Sequence, residues 1–528
     1  MKSFSFQEIL TRHRGIVIFL FAVPVSFLFQ KAQDLRNWIY RNFFATSKLH
    51  DRKVREIQVE VKRARQEGKM MCTARAPWKT MSLRKVTYKD DYARISVNLK
   101  NILKLDPEKR TVRVEPMVTM GDITHYLIPR GYALAVQVEM DDLTMGGLCM
   151  GLGIETSSHK YGFLFETVVA YEIVTAEGEL VRATQSENAD LFYALPMSHG
   201  TLGFLVAVEL AIVPVKKYMK VEYFPFRDLL TMSRKMEELA NSEDPPSFLE
   251  GLIFSSNTGV MMVGEFADKP VKGNRTNAIN RFYKTWFYEH AESFLDSGQG
   301  VEYIPLRHYF HRHTPSVFFQ LKDLIPFANR KWYRWLFAWL GAPKISLMKY
   351  SMTKELRRQA LKNRVAQDII IPISKMSEAL QFIDEHYGIY PLWVCPVRLF
   401  DHGNQEGLIR YPDNMTGISD SMVFVDLGIY GIPPAIQKGQ WDSVSISRKL
   451  EHFTYMRQGF HMLYADIFMT REEFEQMFNH ELYRAVRRKY KAEGSFPEVY
   501  DKVIPEKWLI NIDEQFKAES IHSEYLTS

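Results

Sequence analysis

Residues 144–156 read TMGGLCMGLGIET, and SSHKYG follows at 157–162. Four glycines, at 146, 147, 151 and 153, fall within those thirteen positions, and the residues between them are small or apolar. Glycine tolerates positive φ and lets a ligand touch the main chain. Successive amides freed in this way form a nest for an anion such as a diphosphate. The bland reading is a glycine-rich turn between two core elements, and the surrounding chain must decide between the two.

Gly151-Leu152-Gly153 invites comparison with the dinucleotide fingerprint G-x-G-x-x-G, but Thr156 stands where the third glycine belongs. No clear apolar strand leads into the loop and no long amphipathic helix opens from it, so a Rossmann reading fails its context test. Glu172 at the expected acidic spacing is a single coincidence. A Walker loop, an HExxH pair and a GxSxG elbow are absent.

Outward from the loop the pattern is a β/α mixture. Val54, Ile57, Val61 and Ala64 recur at helical spacing before Gly68. Strands are expected at Ile95–Leu99 and Thr111–Glu115, then a helix from about Gly121 to Arg130. After the loop, TVVAYEIVTAEGELVRAT reads as two strands meeting at Glu177-Gly178. A short helix at Asn188–Leu195 and a long apolar strand at Gly203–Val213 complete a first unit, 39–215. From 216 to 528 helices alternate with short strands, as in an α+β domain with helices on one face of a sheet. The helices are expected at Arg227–Ala240, Ala278–Leu295, Ser377–His386 and Arg471–Lys489. The strands are expected at Glu250–Phe254, Met261–Glu265, Gln367–Pro372 and Met422–Leu427.

The 528 residues suffice for two or three domains. A net charge of +6 is too weak and diffuse for nucleic-acid binding and suits an anionic cofactor or an acidic membrane face. Three cysteines, Cys72, Cys149 and Cys395, make neither a zinc pattern nor a disulfide framework, which points to a reducing compartment. Sequons at Asn274 and Asn414 would be silent there. Residues 15–29, GIVIFLFAVPVSFLF, form an uncharged run, short against the roughly 17–25 residues of a spanning helix. No small-x-small cleavage site follows, and Trp38, Tyr40, Phe43 and Phe44 suit a membrane interface. The reading is a signal anchor or a membrane-bound hairpin within 1–38. Lys31, Arg36, Arg41, Lys48, Arg52 and Lys53 place the body on the cytosolic side by the positive-inside rule, against Lys2, Arg12 and Arg14.

DDLTMGG at 141–147, SSHKYG and ENADLFYALPMSHGTLGFL resemble the FAD-binding domain of the vanillyl-alcohol oxidase and para-cresol methylhydroxylase (PCMH) superfamily. More narrowly, the chain resembles the Δ24-sterol reductase, or diminuto, family nearly end to end. VRVEPMVTMG at 112–121, EYIPLRHYFHRHT at 302–314, APKISL at 342–347, GFHMLYAD at 459–466 and FPEVYDK at 496–502 carry that likeness. The resemblance implies a PCMH-type FAD-binding domain, an α+β substrate or cap domain and an N-terminal membrane anchor. It implies that FAD is held by Thr144, Met145, Gly146, Gly147, Leu148, Cys149, Met150, Gly151, Leu152, Gly153, Ile154, Glu155 and Thr156. Leu148, Cys149, Met150 and Leu152 would contribute main chain more than side chain. The loop Cys72-Thr73-Ala74-Arg75-Ala76-Pro77-Trp78 would approach the diphosphate; it has no histidine, so the flavin is expected to be non-covalent. Ala74 and Ala76 replace the glycines the family places there.

The implied reaction is NADPH-driven reduction of the C24–C25 double bond of a sterol in the endoplasmic reticulum membrane. An isolated alkene has no carbonyl to accept charge, so a proton must arrive before or with the hydride. Candidate donors are Glu155, His159, Tyr161, His311, His313, Tyr464 and Asp466, each with an ordinary core or surface reading beside it. The histidines of RHYFHRH at 307–313 fit no zinc spacing, and the flanking arginines oppose a metal. That segment is expected to face the active site or the NADPH phosphates, or to be a solvated basic loop. KWYRWLFAWL at 331–340 is expected as a buried helix, with a membrane patch where sterol enters as the alternative. The sequence offers no separate docking place for NADPH. The competing functions are an aldonolactone or alcohol oxidase of the same superfamily and a non-catalytic sterol-binding membrane flavoprotein.

Overall fold

The computed structural model describes residues 14–43, 47–76, 79, 88–271, 273–350, 354–403, 407–412, 420–438, 441–505 and 510. Two mixed layers of sheet and helix dominate it. The helix Ser47–Gln66 buries Val54, Ile57, Val61 and Ala64, the stripe its spacing demands. It leads into a two-stranded parallel ribbon of β1 (Met71–Thr73) and β2 (Ala93–Ile95). The first large sheet is built from β3 (Ile102–Asp106), β4 (Thr111–Val114), β6 (Val168–Val174), β7 (Leu180–Ala183) and β8 (Phe204–Pro214). Its order is β3-β4-β8-β6-β7, with β5 (Tyr132–Leu134) pairing β8. The β6–β7 hairpin turns at Glu177-Gly178, where Gly178 has φ +74°.

The second sheet has nine strands, β9 (Tyr218–Phe226), β10 (Phe248–Ile253), β11 (Gly259–Ala267), β12 (Arg275–Thr276), β13 (Gly300–Pro305), β14 (Val365–Pro372), β15 (Leu392–Phe400), β16 (Ser421–Gly431) and β17 (Phe460–His461). They run in the order β12-β13-β9-β11-β10-β15-β16-β14-β17. One face buries Ile369, Ile371, Val394, Val425, Leu427 and Ile429 beneath the helices Leu229–Ala240, Met376–His386 and Ser443–Met456. The other face carries Asp368, Trp393, Cys395 and Asp426, because the register sets Asp368 and Trp393 opposite Gly428, and Cys395 opposite Asp426. The chain then returns to the first unit. Arg487 on the helix Glu481–Lys489 donates to the Thr201 carbonyl at 2.8 Å, and Phe496 packs edge-on against Phe204.

Two expected helices differ. Ala278–Leu295 is helical only at Phe287–Glu292 and Phe294–Ser297. Before that, Asn280 Nδ2 donates to the carbonyls of His308 and His311, a side-chain alternative to helical bonding. Arg471–Lys489 breaks into Arg471–Met477 and Glu481–Lys489. At the break the Asn479 amide bonds the Leu408 carbonyl and its side chain caps Glu481.

At the N-terminus, Arg14–Val17 passes through a π turn, Ile18–Ala22, into Val23–Phe43. Pro24 lacks the amide that would bond Leu20, and the widened turn accommodates that loss. Gly15–Arg36 is long and apolar enough to cross a membrane. One side buries Ile18, Val23 and Ser26, while Leu20, Phe21, Val25 and Leu28 stand exposed. The buried side meets the tryptophan-rich run. Phe19 packs against Phe327, Tyr333 and Phe337. That run is not a buried helix: it is the short helix Lys331–Leu336 and a turn, and Trp332, Trp335, Leu336 and Trp339 are all about half exposed. Together the two segments form one apolar face. Of the interfacial aromatics, Phe44 and the side chains of Trp38, Tyr40 and Phe43 lie outside the described residues, as do Pro77, Trp78 and Asn414.

Candidate active site

Within 144–156 the chain makes a single turn of helix, Met145–Cys149, and then runs irregularly to Ile154. Gly151 lies so close to the turn before it that a Cβ there would stand 2.4 Å from the Gly147 carbonyl oxygen. Gly147 is different: a Cβ on it would meet only Thr144 Oγ1, at 3.3 Å, so its main chain is bare. The amides of Gly151, Leu152, Gly153 and Ile154 find no acceptor among the described residues. Such groups need an external acceptor when taken from water. Two cations border the loop. Arg75 donates to Thr144 Oγ1 at 3.2 Å, and Lys89 is tied to the carbonyls of Thr73 and Arg75. A row of spare amides beside bare backbone and two cations fits a flavin diphosphate.

The loop forms one wall of a cavity of about 770 Å³. Thr144, Gly146, Gly147, Leu148 and Met150–Ile154 line it, with Cys72, Thr73, Arg75 and Lys89 nearby. Met145, Cys149, Glu155 and Thr156 do not; Met145 and Cys149 are buried in the apolar core beneath the loop. The opposite wall is the polar-bearing face of the nine-stranded sheet, with Asp368, Trp393, Asp426 and Tyr430, joined by Met462 and Tyr464. Tyr430 and Tyr464 both donate to the Asp368 carboxylate, one to each oxygen. Gly428 leaves the space this needs, since a Cβ there would stand 2.9 Å from Asp368 Oδ1. Burial raises the Asp368 carboxyl to about 6 against those two hydrogen bonds. Burial, and then the neighbouring charge of Asp368, push Asp426 well above the carboxylate range.

Beside this wall lies a buried ionic clasp between the two units. Arg312 donates to both oxygens of Glu250, at 2.8 and 2.7 Å, to Glu155 at 2.9 Å and to Glu139 at 3.4 Å. Glu139 and Glu155 precede and end the glycine loop, while Arg312 and Glu250 belong to the second unit. Burial alone would raise Glu250, yet Arg312 and His313 hold it at about 2. Burial raises Glu139 and Glu155 despite Arg312. Next to the clasp, Val317, Phe318 and Phe319 take φ of 51°, 47° and 66° in succession. Residues of this bulk rarely occupy that region, and each costs on the order of 1–3 kcal/mol. Stacking of Phe318 on His313 and edge contacts to Trp393 and Tyr430 hold the kink against the cavity.

The structure separates the sequence candidates. Glu155, His311 and His313 belong to the clasp and its margin. His311 bridges the Glu139 carbonyl and Thr124, and burial lowers its imidazole. Burial lowers His313 to about 4. His159 donates to the Pro246 carbonyl at 2.8 Å, and burial lowers it to about 4. Tyr161 lies off the cavity, half-buried. Only Tyr464 and Asp466 reach the cavity, and Asp466 is paired with Arg357 at 2.8 and 2.9 Å. RHYFHRH therefore faces neither solvent nor open cavity at Arg312, whose fork is fully taken. No cluster able to hold a metal occurs among the described residues. Asp368, Asp426 and Tyr430 were not anticipated, although an Asp inside the apolar runs VAQDIIIP and SMVFVDLGIYG is itself a signal.

Residues 52–184 match the family described as FAD binding domain. The Delta(24)-sterol reductase of Homo sapiens is 42% identical over 500 residues, covering 94% of this chain and 94% of that protein. That of Arabidopsis thaliana is 38% identical over 520 residues, covering 94% of this chain and 92% of that protein. The L-gulonolactone oxidase of Bos taurus is 27% identical over only 196 residues, 37% of this chain and 41% of that protein. With identity and coverage of this order along both structural units, the chain belongs to the Delta(24)-sterol reductase family and carries an FAD-binding domain.

Proposed function

We propose that this chain is a membrane-anchored flavoenzyme that reduces the C24–C25 double bond of sterols, with NADPH as electron donor. The observation that carries the reading is the single cavity joining the glycine loop to an acid-bearing sheet face. FAD, bound there without a covalent link, supplies a hydride. The amides of Gly147 and Gly151–Ile154 would hold its diphosphate, with Arg75 and Lys89 balancing the charge. Leu148, Leu152, Val317, Phe318, Trp393 and Met462 give the cavity the apolar walls a sterol side chain requires. Their work is to exclude water and fix the alkene between the loop and the sheet.

A proton delivered to C24 places cation character on C25, the more substituted carbon, which then takes the hydride. We read residues 1–38 as the anchor, 39–215 as the flavin-binding unit and 216–528 as the substrate unit, in the endoplasmic reticulum membrane with the body in the cytosol. The basic residues after the apolar run support that orientation. The test is incubation of the purified chain with NADPH and desmosterol in heavy water, followed by mass spectrometry and NMR of the sterol. Solvent deuterium at C24 and hydride at C25 are expected. Solvent label at C25 overturns the polarity; oxygen-driven flavin turnover without a reduced sterol indicates an oxidase. Sterol binding with no NADPH consumption indicates a non-catalytic flavoprotein.

A further inference from the structure

Five carboxyl groups line the cavity: Glu139, Asp142, Asp368, Asp426 and Asp466. Four are committed. Glu139 accepts from the amides of His313 and Thr314, at 2.7 and 2.8 Å, and faces Arg312. Asp142 is gripped by Lys344 at 2.7 and 2.8 Å. Asp368 takes the hydroxyls of Tyr430 and Tyr464. Asp466 is paired with Arg357. Asp426 alone is fully buried with neither carboxyl oxygen hydrogen-bonded among the described residues. An unpaired buried polar group in a native fold calls for an explanation.

We propose that Asp426 is the acid that protonates C24 of the sterol. Its place in the sheet supports this. Asp368 pairs with Gly428 and Ile370 with Asp426, so the two aspartates stand diagonally on one face, within roughly 7–8 Å between backbones. Burial, and then the charge on Asp368 held by its two tyrosines, push the Asp426 carboxyl well above the carboxylate range and favour its protonated form. Among the described residues no arginine or lysine is hydrogen-bonded to Asp426 to draw that proton off. In the step itself the Asp426 O–H bond breaks and the alkene π pair forms the C24–H bond. Carbon 25 takes the hydride, and the electron pair left on oxygen makes Asp426 a carboxylate. That negative charge forms beside the developing cation, in a dry site where the attraction is strong. A water proton then restores the acid from the side of Tyr464, which is 36% exposed. Asp368, Tyr430 and Tyr464 are positioning residues in this scheme.

The inference rests on the sterol-reductase reading, and two half-reactions separate the two claims. In the full-length chain in detergent, NADPH reduction of the flavin is followed first, and reoxidation of the reduced flavin by anaerobic desmosterol second. In Asp426→Asn, flavin content and the first half-reaction are expected within about threefold of wild type, and the second slower by about 100-fold or more. Asp426→Glu should recover part of the second. Reoxidation of the Asn variant within about fivefold of wild type overturns the proposal. If the Asn variant fails to fold, infrared difference spectra decide: a protonated-carboxyl band in wild type that shifts in Asp426→Glu supports it, and no such band overturns it. Wild-type reduced flavin that ignores desmosterol sinks the sterol-reductase reading instead.

Discussion

The ring of Phe27 meets the indole of Trp339 edge-on, with 5.4 Å between centroids. One residue lies on the N-terminal helix and the other in the tryptophan-rich run of the second unit. Nearby, the Lys344 amide donates to Ser26 Oγ at 3.0 Å, and the Lys344 ammonium binds Asp142 on the cavity wall. The N-terminal helix is therefore packed onto the body of the chain, not tethered by a loose linker. Removing residues 1–38 should uncover Phe327, Tyr333 and Phe337 while leaving Trp332, Trp335 and Trp339 in place. Burying a side chain such as Phe19 contributes roughly 1.5–3 kcal/mol, so the truncated chain should still partition into lipid. Liposome flotation checks this. A truncated chain that is monomeric and stays in the aqueous fraction refutes this account of a continuous apolar face.

Gly147→Ala separates flavin binding from folding. The added methyl meets only Thr144 Oγ1, and alanine favours the helical turn it sits in. The thermal midpoint of the flavin-free protein should be unchanged or slightly higher. Flavin affinity should fall at least tenfold, about 1.4 kcal/mol, because the methyl occupies the face where the cofactor approaches. Fluorescence titration with FAD measures it. Undiminished affinity would mean that the flavin lies elsewhere.

Local pattern made some of this site readable and long-range pairing hid the rest. Helical spacing of Val54, Ile57, Val61 and Ala64, and the glycine spacing at 146–153, are properties of neighbours in sequence. The acid wall is not. Asp368 and Asp426 meet only because β14 and β16 pair antiparallel in one register, and a one-residue slip of either strand would turn its aspartate into the helix-covered core and part the two. The half-exposed tryptophan-rich run is hidden from a local reading for the same reason, since its partner is a helix some 300 positions away in the sequence. In Ala278–Leu295 apolar periodicity pointed to helix, but the side chain of Asn280 supplies partners to carbonyls of a distant segment.

Arg312→Met should be among the most damaging single changes. It removes the arginine that grips both oxygens of Glu250 and leaves three buried carboxyls facing one another. Breaking a buried pair from one side costs about 3–5 kcal/mol. Glu250→Gln should lose a comparable amount, because the carboxylate is ionised and also accepts from Trp393 Nε1 at 3.0 Å. Chemical denaturation in detergent measures both. A loss under about 1 kcal/mol in each would show that the clasp does not join the units.

Glu451 offers a pH test away from the cavity. It lies on the helix Ser443–Met456, accepts from the Phe468 amide at 2.6 Å, and has a second oxygen without a hydrogen-bond partner among the described residues. Burial raises its carboxyl from 4.5 to about 8. The folded chain therefore holds this proton across a range where the unfolded chain has lost it. The stabilising contribution is full below about pH 4.5, declines as the pH rises, and is gone above about pH 8. Gln cannot ionise and can still accept from Phe468. The midpoint of Glu451→Gln relative to wild type should climb steadily between those two limits and then level off. A difference that stays flat across that window would mean that Glu451 is ionised in the folded protein.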